Sequence, residues 1–253
     1  MQSPRGAVTW LLGNHELWPL LQSCRTCSQY APFHQCASDG SYSREFRRTL
    51  IDALIAARAQ AVVVANGVLC CHGGLNARFV QEAIRRTSEE PADSAAARKL
   101  LLQTINREFD SILAQAAASP DARLPIGSEL GRFSWCLRPD SPLWCRPQTD
   151  PQGFEALFRP STYPPGWQCL ADGLAQFAYA CAHTTQPHGV SLACSSCKAS
   201  PKTLVQEVER PLRPGELLYI DTGASRGFGR DGRIIQAVRV TRDGRLRVTK
   251  NLA

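Results

Sequence analysis

Trp10-Leu11-Leu12-Gly13-Asn14-His15-Glu16 joins an apolar run to three polar side chains through a single glycine. Ala7 to Leu12 is short and apolar, with β-branched and aromatic members, the pattern of a strand covered on both faces. Gly13 permits a sharp turn where the chain leaves the sheet. Asn14, His15 and Glu16 are therefore expected just beyond the carboxyl end of a strand, where open α/β sheets place their ligands. A carboxamide oxygen can ligate a metal, and an imidazole can pass a proton to a leaving group. The same letters also read as an ordinary helix start, with Asn14 as N-cap, Glu16 in the first turn and His15 idle.

Two other apolar runs end in the same way, Leu69-Cys70-Cys71-His72-Gly73-Gly74 and Tyr179-Ala180-Cys181-Ala182-His183-Thr184. If the three runs lie side by side, Asn14, His15, His72 and His183 converge on one sheet edge. Two imidazoles and an amide oxygen suit the first shell of a transition metal, and small neighbours let backbone and ligand approach closely. Any one of these histidines also reads as an ordinary structural residue.

Between these runs the periodicity sets the other elements. Phe46, Leu50, Leu54 and Ile55 fall at helical spacing and predict a helix over 46–59. Ala61–Val64 and Val68–Cys71 flank Asn66-Gly67, the strongest short hairpin signal. Leu17–Leu21, 79–87 and 95–115 read as helices, with 79–125 as a helical insertion. Residues 22–42 read as loop or short helices, 141–165 as mostly loop, and 186–202 as a surface loop. Residues 176–181, 203–208, 216–220, 234–240 and 246–248 read as strands, with a turn at Asp243-Gly244.

The 253 residues suit one domain, 1–253, with 43% hydrophobic and 20% charged residues, a composition that excludes disorder. The longest apolar run, 61–71, is too short to span a bilayer, and no secretory leader is read, so the expectation is a cytoplasmic chain without membrane contact. Its 11 cysteines are scattered in apolar surroundings and read as reduced core residues. The net charge of +7 comes largely from dispersed arginines. Without a basic face carrying aromatic platforms they argue against a nucleic-acid partner, while arginine suits a phosphorylated one.

Gly13-Asn14-His15-Glu16, His72-Gly73-Gly74-Leu75, Ser141-Pro142-Leu143-Trp144-Cys145-Arg146, Ala182-His183-Thr184-Thr185-Gln186 and Tyr219-Ile220-Asp221-Thr222-Gly223-Ala224 resemble, in that order, the later motifs of calcineurin-like metallophosphoesterases. Within that superfamily the chain is similar to the phosphoprotein-phosphatase branch, in particular its bacterial-type (Shewanella-like) members. The resemblance implies a four-layer α/β/β/α sandwich and metal-dependent hydrolysis of phosphomonoesters, including phosphoserine or phosphothreonine, so a phosphorylated small molecule or a phosphoprotein is the expected partner. It implies Asn14, His72 and His183 as ligands of one divalent metal (Mn, Fe or Zn), His15 as proton donor to the leaving group, and Arg146 as a phosphate contact. Asp221 to Ala224 match a segment that closes the second sheet.

The resemblance also has gaps. The family opens with Gly-Asp-x-His-Gly and Gly-Asp-x-x-Asp-Arg-Gly, which supply the first metal's ligands and the carboxylate bridging both ions. No Gly-Asp-x-His occurs in this sequence. Ala182 stands where the family has glycine, and Thr185 where it has proline. Two-metal hydrolysis needs both ions, roughly 3.5–4 Å apart. The expectation is a sandwich truncated at its N-terminus with at most one ion, the missing motifs coming from an upstream segment or a second chain, and an apolar sheet edge left open. The alternative is a non-catalytic phosphatase-like remnant that binds a phosphorylated ligand or a protein. Cys24, Cys27, Cys194 and Cys197 form two C-x-x-C pairs, the ligand count of a structural zinc site.

Overall fold

The computed structural model describes residues 9–21, 43–119, 138–182, 191–194, 203–204, 207–220, 238–243 and 245–248. Helices are α1 (Asn14–Leu21), α2 (Arg44–Ala56), α3 (Ala77–Arg85), α4 (Ser94–Ala118), α5 (Pro151–Glu155) and α6 (Leu170–Ala175). Strands are β1 (Val62–Ala65), β2 (Val68–Cys71), β3 (Ala178–Cys181), β4 (Ser191–Cys194), β5 (Thr203–Leu204), β6 (Glu207–Pro211), β7 (Glu216–Tyr219), β8 (Val238–Val240) and β9 (Arg245–Val248).

The larger sheet runs β1-β2-β3-β7-β4-β5, and β6-β9-β8 form a second, antiparallel sheet. At the centre of the larger sheet β2, β3 and β7 are parallel, while β1 and β4 join antiparallel. Strand alternation separates two faces. Leu69, Cys71, Tyr179, Cys181, Leu217 and Tyr219 point into the core shared with the helices. Val68, Ala178, Ala180 and Leu218 point the other way, against Val240 and Val248 of the second sheet. The described residues thus form a mixed α/β arrangement of helices, sheet and sheet.

Local chemistry sets the helix starts. Ser43, Asn76, Asp93 and Asp150 cap α2, α3, α4 and α5 by accepting backbone N–H bonds. In α4, Ala97, Leu101, Ile105, Phe109, Ile112 and Ala116 form one buried stripe at helical spacing. Asn66 (φ 49°) and Gly67 (φ 78°) both lie in the left-handed region, as a type I′ turn requires, and give the hairpin expected from Asn-Gly.

Some expected elements differ. The run 7–12 is no strand among its described residues: Leu11 makes one parallel bridge to Gln60, because the chain turns into α1 only three residues later. The 186–202 segment is not all surface loop, since β4 lies inside the sheet between β7 and β5. The 141–165 segment contains α5 and two 3-10 turns, and the strand expected over 203–208 splits into β5 and the start of β6. The helices expected over 46–59, 79–87 and 95–115 appear with small boundary shifts. Residues 22–42, 183–190 and 221–237 lie outside the described residues, as does Gly244 of the expected turn.

β1 is the edge of the larger sheet, and the outward groups at its start have partners. Gln60 is bonded by the backbone of Trp10 and Leu12. Two residues on, the Asn106 carboxamide of α4 takes the place of a strand. Its oxygen accepts from Ala61 N and Val62 N at 3.0 and 3.1 Å, and its nitrogen donates to Val62 O at 2.9 Å. A side-chain amide has the donor and acceptor of a peptide unit, so it can close one register of an edge. Beyond it, Val64 is 39% exposed. Asn106→Ala removes three hydrogen bonds from β1 and is expected to lower the unfolding free energy by about 2–3 kcal/mol, read from urea titration. Asn106→Asp keeps the acceptor and should fall between the two; an unchanged midpoint for Asn106→Ala would mean that water serves the edge equally well.

Candidate functional site

The start of α1 removes one reading of Asn14, that of N-cap. Gly13 takes the cap position: its carbonyl accepts the Leu17 N–H, and the Glu16 carboxylate reaches back to the Gly13 N–H at 2.8 Å, one half of a capping box. Asn14 is therefore not used as the cap. Its side chain, on a residue only 7% exposed, meets His72 instead, with Oδ1 and Nε2 2.8 Å apart across 58 residues of sequence.

Gly13 makes this contact sterically possible. A Cβ built there would lie 2.9 Å from a Glu16 carboxylate oxygen, 3.0 Å from His72 Nδ1 and 3.1 Å from its Cε1. The imidazole thus lies over the bare glycine backbone. His72 directly follows β2, and its carbonyl accepts the Ala182 N–H at 2.7 Å. The parallel register of β2 and β3, with Cys71 opposite Cys181, brings the ends of the two strands level. His183, the next residue, lies outside the described residues. His15 is half-buried in the first turn of α1.

The segment from Ser141 to Pro147 closes over the turn after His72. Gly73 donates to Pro142 O at 2.5 Å. A Cβ on Gly73 would sit 2.7 Å from Cys145 O, and one on Gly74, whose φ is 127°, would sit 2.7 Å from Pro147 Cγ. Both glycines are required by this approach. Arg146 is exposed on the same segment. The structure therefore joins Asn14 to His72 directly and brings the segment carrying Arg146 against Gly73 and Gly74.

Beneath these residues lies a group of thiols that sequence reading took as scattered. Cys71 and Cys181 end neighbouring strands and Cys145 comes from the covering segment, all free and buried. Burial pushes Cys71 well above its ordinary value, and the neighbouring Cys181 and Cys145 add to the shift. Burial likewise raises Cys70 to about 11 and Cys145 to about 12. Tyr219 is raised by burial and by the same two thiols, Cys181 and Cys145. Such groups stay protonated and neutral and are poor nucleophiles.

Among the described residues no cluster of three or more His, Cys, Asp or Glu side chains could hold a metal ion. The Asn14–His72 contact is a hydrogen bond: Oδ1 can only accept, so Nε2 carries the proton, and the two atoms serve as adjacent ligands of one ion only where Nε2 has given that proton up. Of the proposed zinc cysteines, Cys24, Cys27 and Cys197 lie outside the described residues, and Cys194 ends β4. No helix among the described residues is long and apolar enough to cross a membrane.

No protein-family profile and no curated protein matches the chain. A solved structure, that of a mutant cold-active protein tyrosine phosphatase, is similar over 95% of this chain with 15% sequence identity and a TM-score of 0.40. The chain spans 58% of that protein's length. At this level of likeness no residue role carries across, and the calcineurin-like resemblance rests on the motifs themselves.

Two outcomes test this geometry. Gly13→Ala forces Glu16 and His72 apart and is expected to cost about 1–3 kcal/mol, with a changed His72 imidazole signal in NMR spectra; an unchanged signal would mean that the ring does not rest on Gly13. The thiols predict a pH dependence. The folded state binds their protons more tightly than the unfolded chain, so this stability is complete below the ordinary thiol value of 9.0 and is lost as pH rises toward 12. Urea midpoints should be level between about pH 7 and 8 and fall above about pH 9, whereas a midpoint that rises there would contradict the assignment.

Proposed function

We propose that the chain is a phosphoester-handling domain of the calcineurin-like kind, of the α/β/β/α architecture, in which Asn14, His72 and His183 share one divalent transition metal. In this reading His15 protonates the leaving group and Arg146 contacts the substrate phosphate. The substrate class is a phosphomonoester, including phosphoserine or phosphothreonine in a protein. The observation that carries it is the contact of Asn14 Oδ1 with His72 Nε2 at 2.8 Å. Two short motifs far apart in sequence supply donors at one point, and a third begins at Ala182, hydrogen-bonded to His72.

A divalent ion held there would polarise a phosphoryl oxygen. The protein's own part is to orient the donors. Gly13 leaves room for His72, the capping bond from Glu16 frees Asn14, and the Ser141–Pro147 segment holds Arg146 beside the turn. Proton donation by His15 is worth about 10²–10⁴-fold on its own. Fast hydrolysis also needs a second ion and a carboxylate between the two, and this sequence contains no Gly-Asp-x-His to supply them. Slow turnover by the chain alone follows from the same reading.

A second reading, a non-catalytic domain that binds phosphorylated ligands, draws support from the neutral character of Asn14 and His72, which leave an ion's charge uncompensated. One experiment separates the two. Manganese titrated calorimetrically into wild type, Asn14→Ala and His72→Ala should show one weak site that the variants lose. Equal binding by His72→Ala and wild type overturns the metal assignment. Hydrolysis of p-nitrophenyl phosphate in the same samples then decides. Slow manganese-dependent turnover that disappears in His15→Asn supports the enzyme, and metal binding without turnover supports the binding domain.

A further inference from the structure

A second cleft, of about 380 Å³, opens beside the segment that covers the turn after His72. Arg78, Arg138 and Arg146 line it, with Trp144 and the acids Asp140 and Asp150. The charges are not equally available. Asp140 holds Arg138 through two bonds, 2.8 Å from Nε and 2.6 Å from Nη2. Asp150 accepts from Asn76 Nδ2 at 2.7 Å and from Gly153 N at 2.9 Å, so both of its oxygens are engaged. The guanidinium groups of Arg78 and Arg146 have no hydrogen-bonding or ion-pair partner among the described residues and are exposed. They come from different segments, the first turn of α3 and the end of the Ser141–Arg146 motif, which the Asn76–Asp150 bond ties together.

We propose that Arg78 and Arg146, walled by Trp144, form an anion-binding subsite in which Arg146 stands between the phosphoester bound at Asn14 and His72 and a second phosphate or carboxylate group held at Arg78. Its placement next to that phosphoester rests on the function proposed above; anion binding by the cleft does not. Two planar guanidiniums can each present paired N–H donors to one oxyanion. The helix start at Arg78 adds potential of the same sign. Arg138 matches the charge of Asp140, while Asp150, bonded only to neutral donors, keeps its own, so the lining is left with a net single positive charge from Arg78 and Arg146. The cleft is within the size range of small-ligand sites, though at its small end, which suits an oxyanion group better than an extended apolar ligand. Five residues separate His72 from Arg78, so their backbones lie within about 20 Å of each other. One substrate carrying a phosphoester and a nearby acidic group can span them.

The test is calorimetric titration of metal-free protein with inorganic pyrophosphate and, separately, with citrate, at low and high salt. Four proteins are compared: wild type, Arg78→Gln, Arg85→Gln and His72→Ala. Arg85 is on the same helix, bonded to Glu82, and serves as a control for general loss of charge. Wild type should bind at least one of the two anions, more weakly at high salt. Arg78→Gln should weaken that binding at least tenfold, while Arg85→Gln and His72→Ala should not change it. Pyrophosphate alone identifies a phosphate subsite, and binding of citrate identifies one that accepts carboxylates; both support the proposal. Binding of neither anion by wild type, or equal binding by Arg78→Gln and wild type, overturns it. Anion binding lost in His72→Ala and kept in Arg78→Gln also overturns it, while leaving the function proposed for Asn14 and His72 intact.

Discussion

A charge placed inside the core holds the site's first helix in position. Arg47 of α2 is fully buried, and its guanidinium donates to Pro19 O at 3.0 Å, Leu20 O at 2.9 Å and Ser119 O at 3.1 Å. The first two carbonyls belong to the last turn of α1, and Ser119 is the C-cap of α4. Helix C-termini carry partial negative charge and carbonyls without internal partners. One buried cation therefore meets a need of two helices at once, and those carbonyls in turn compensate its own desolvation. Eight residues with Pro19 among them make a helix that is marginal alone. Fixing its far end from α2 gives its near end, with Asn14 and His15, a defined place.

The elements legible in the sequence are those whose pattern has a local cause. The β1–β2 hairpin was legible because only a few residue pairs tolerate two successive left-handed conformations, and Asn66-Gly67 is one of them. The helix α2 was legible from the spacing of its apolar residues, and α4 from its long buried stripe. The order of the larger sheet was not legible. It depends on β4 entering next to β7, and Ser191-Leu192-Ala193-Cys194 has little alternation to signal a strand. The run 7–12 misled for the opposite reason. Its apolar composition suits a strand, but the chain turns into α1 three residues after Leu11, and its described residues make one bridge.

The candidate site was partly legible. Gly13, Asn14 and His72 could be singled out by residue type and by their position after apolar runs, and Asn14 and His72 do meet. The sequence could not decide between Asn14 as cap and Asn14 as ligand, since both uses need a short amide just before a helix. Glu16 removes the cap reading alone: its carboxylate bonds the Gly13 N–H, and the Asn14 amide meets His72 instead. Arg78 carried no signal because exposed arginines on a helix are ordinary. Its interest comes only from the segment that the Asn76–Asp150 bond brings alongside. The meeting of Cys71, Cys145 and Cys181 likewise depends on strand register and on how the covering segment folds back.

These thiols constrain where charge can be placed. Cys71 and Cys181, at the ends of β2 and β3, are buried in the core, so an ionised side chain at either would lack water. Neutral sulfhydryl groups fill the position instead, and burial keeps them protonated. Charge has to come from outside the sheet: from Glu16 in the first turn of α1, and from Arg146 and Arg78 on segments that cover its end. Those segments can approach because Gly73 and Gly74 present bare backbone to Cys145 and Pro147. The sheet supplies position, with the Asn14–His72 pair at its rim, while the charged groups come from the helix starts and the covering segment. Under the proposed subsite, replacing Arg78 or Arg146 alters anion binding without disturbing the parallel strands, because neither side chain belongs to the sheet.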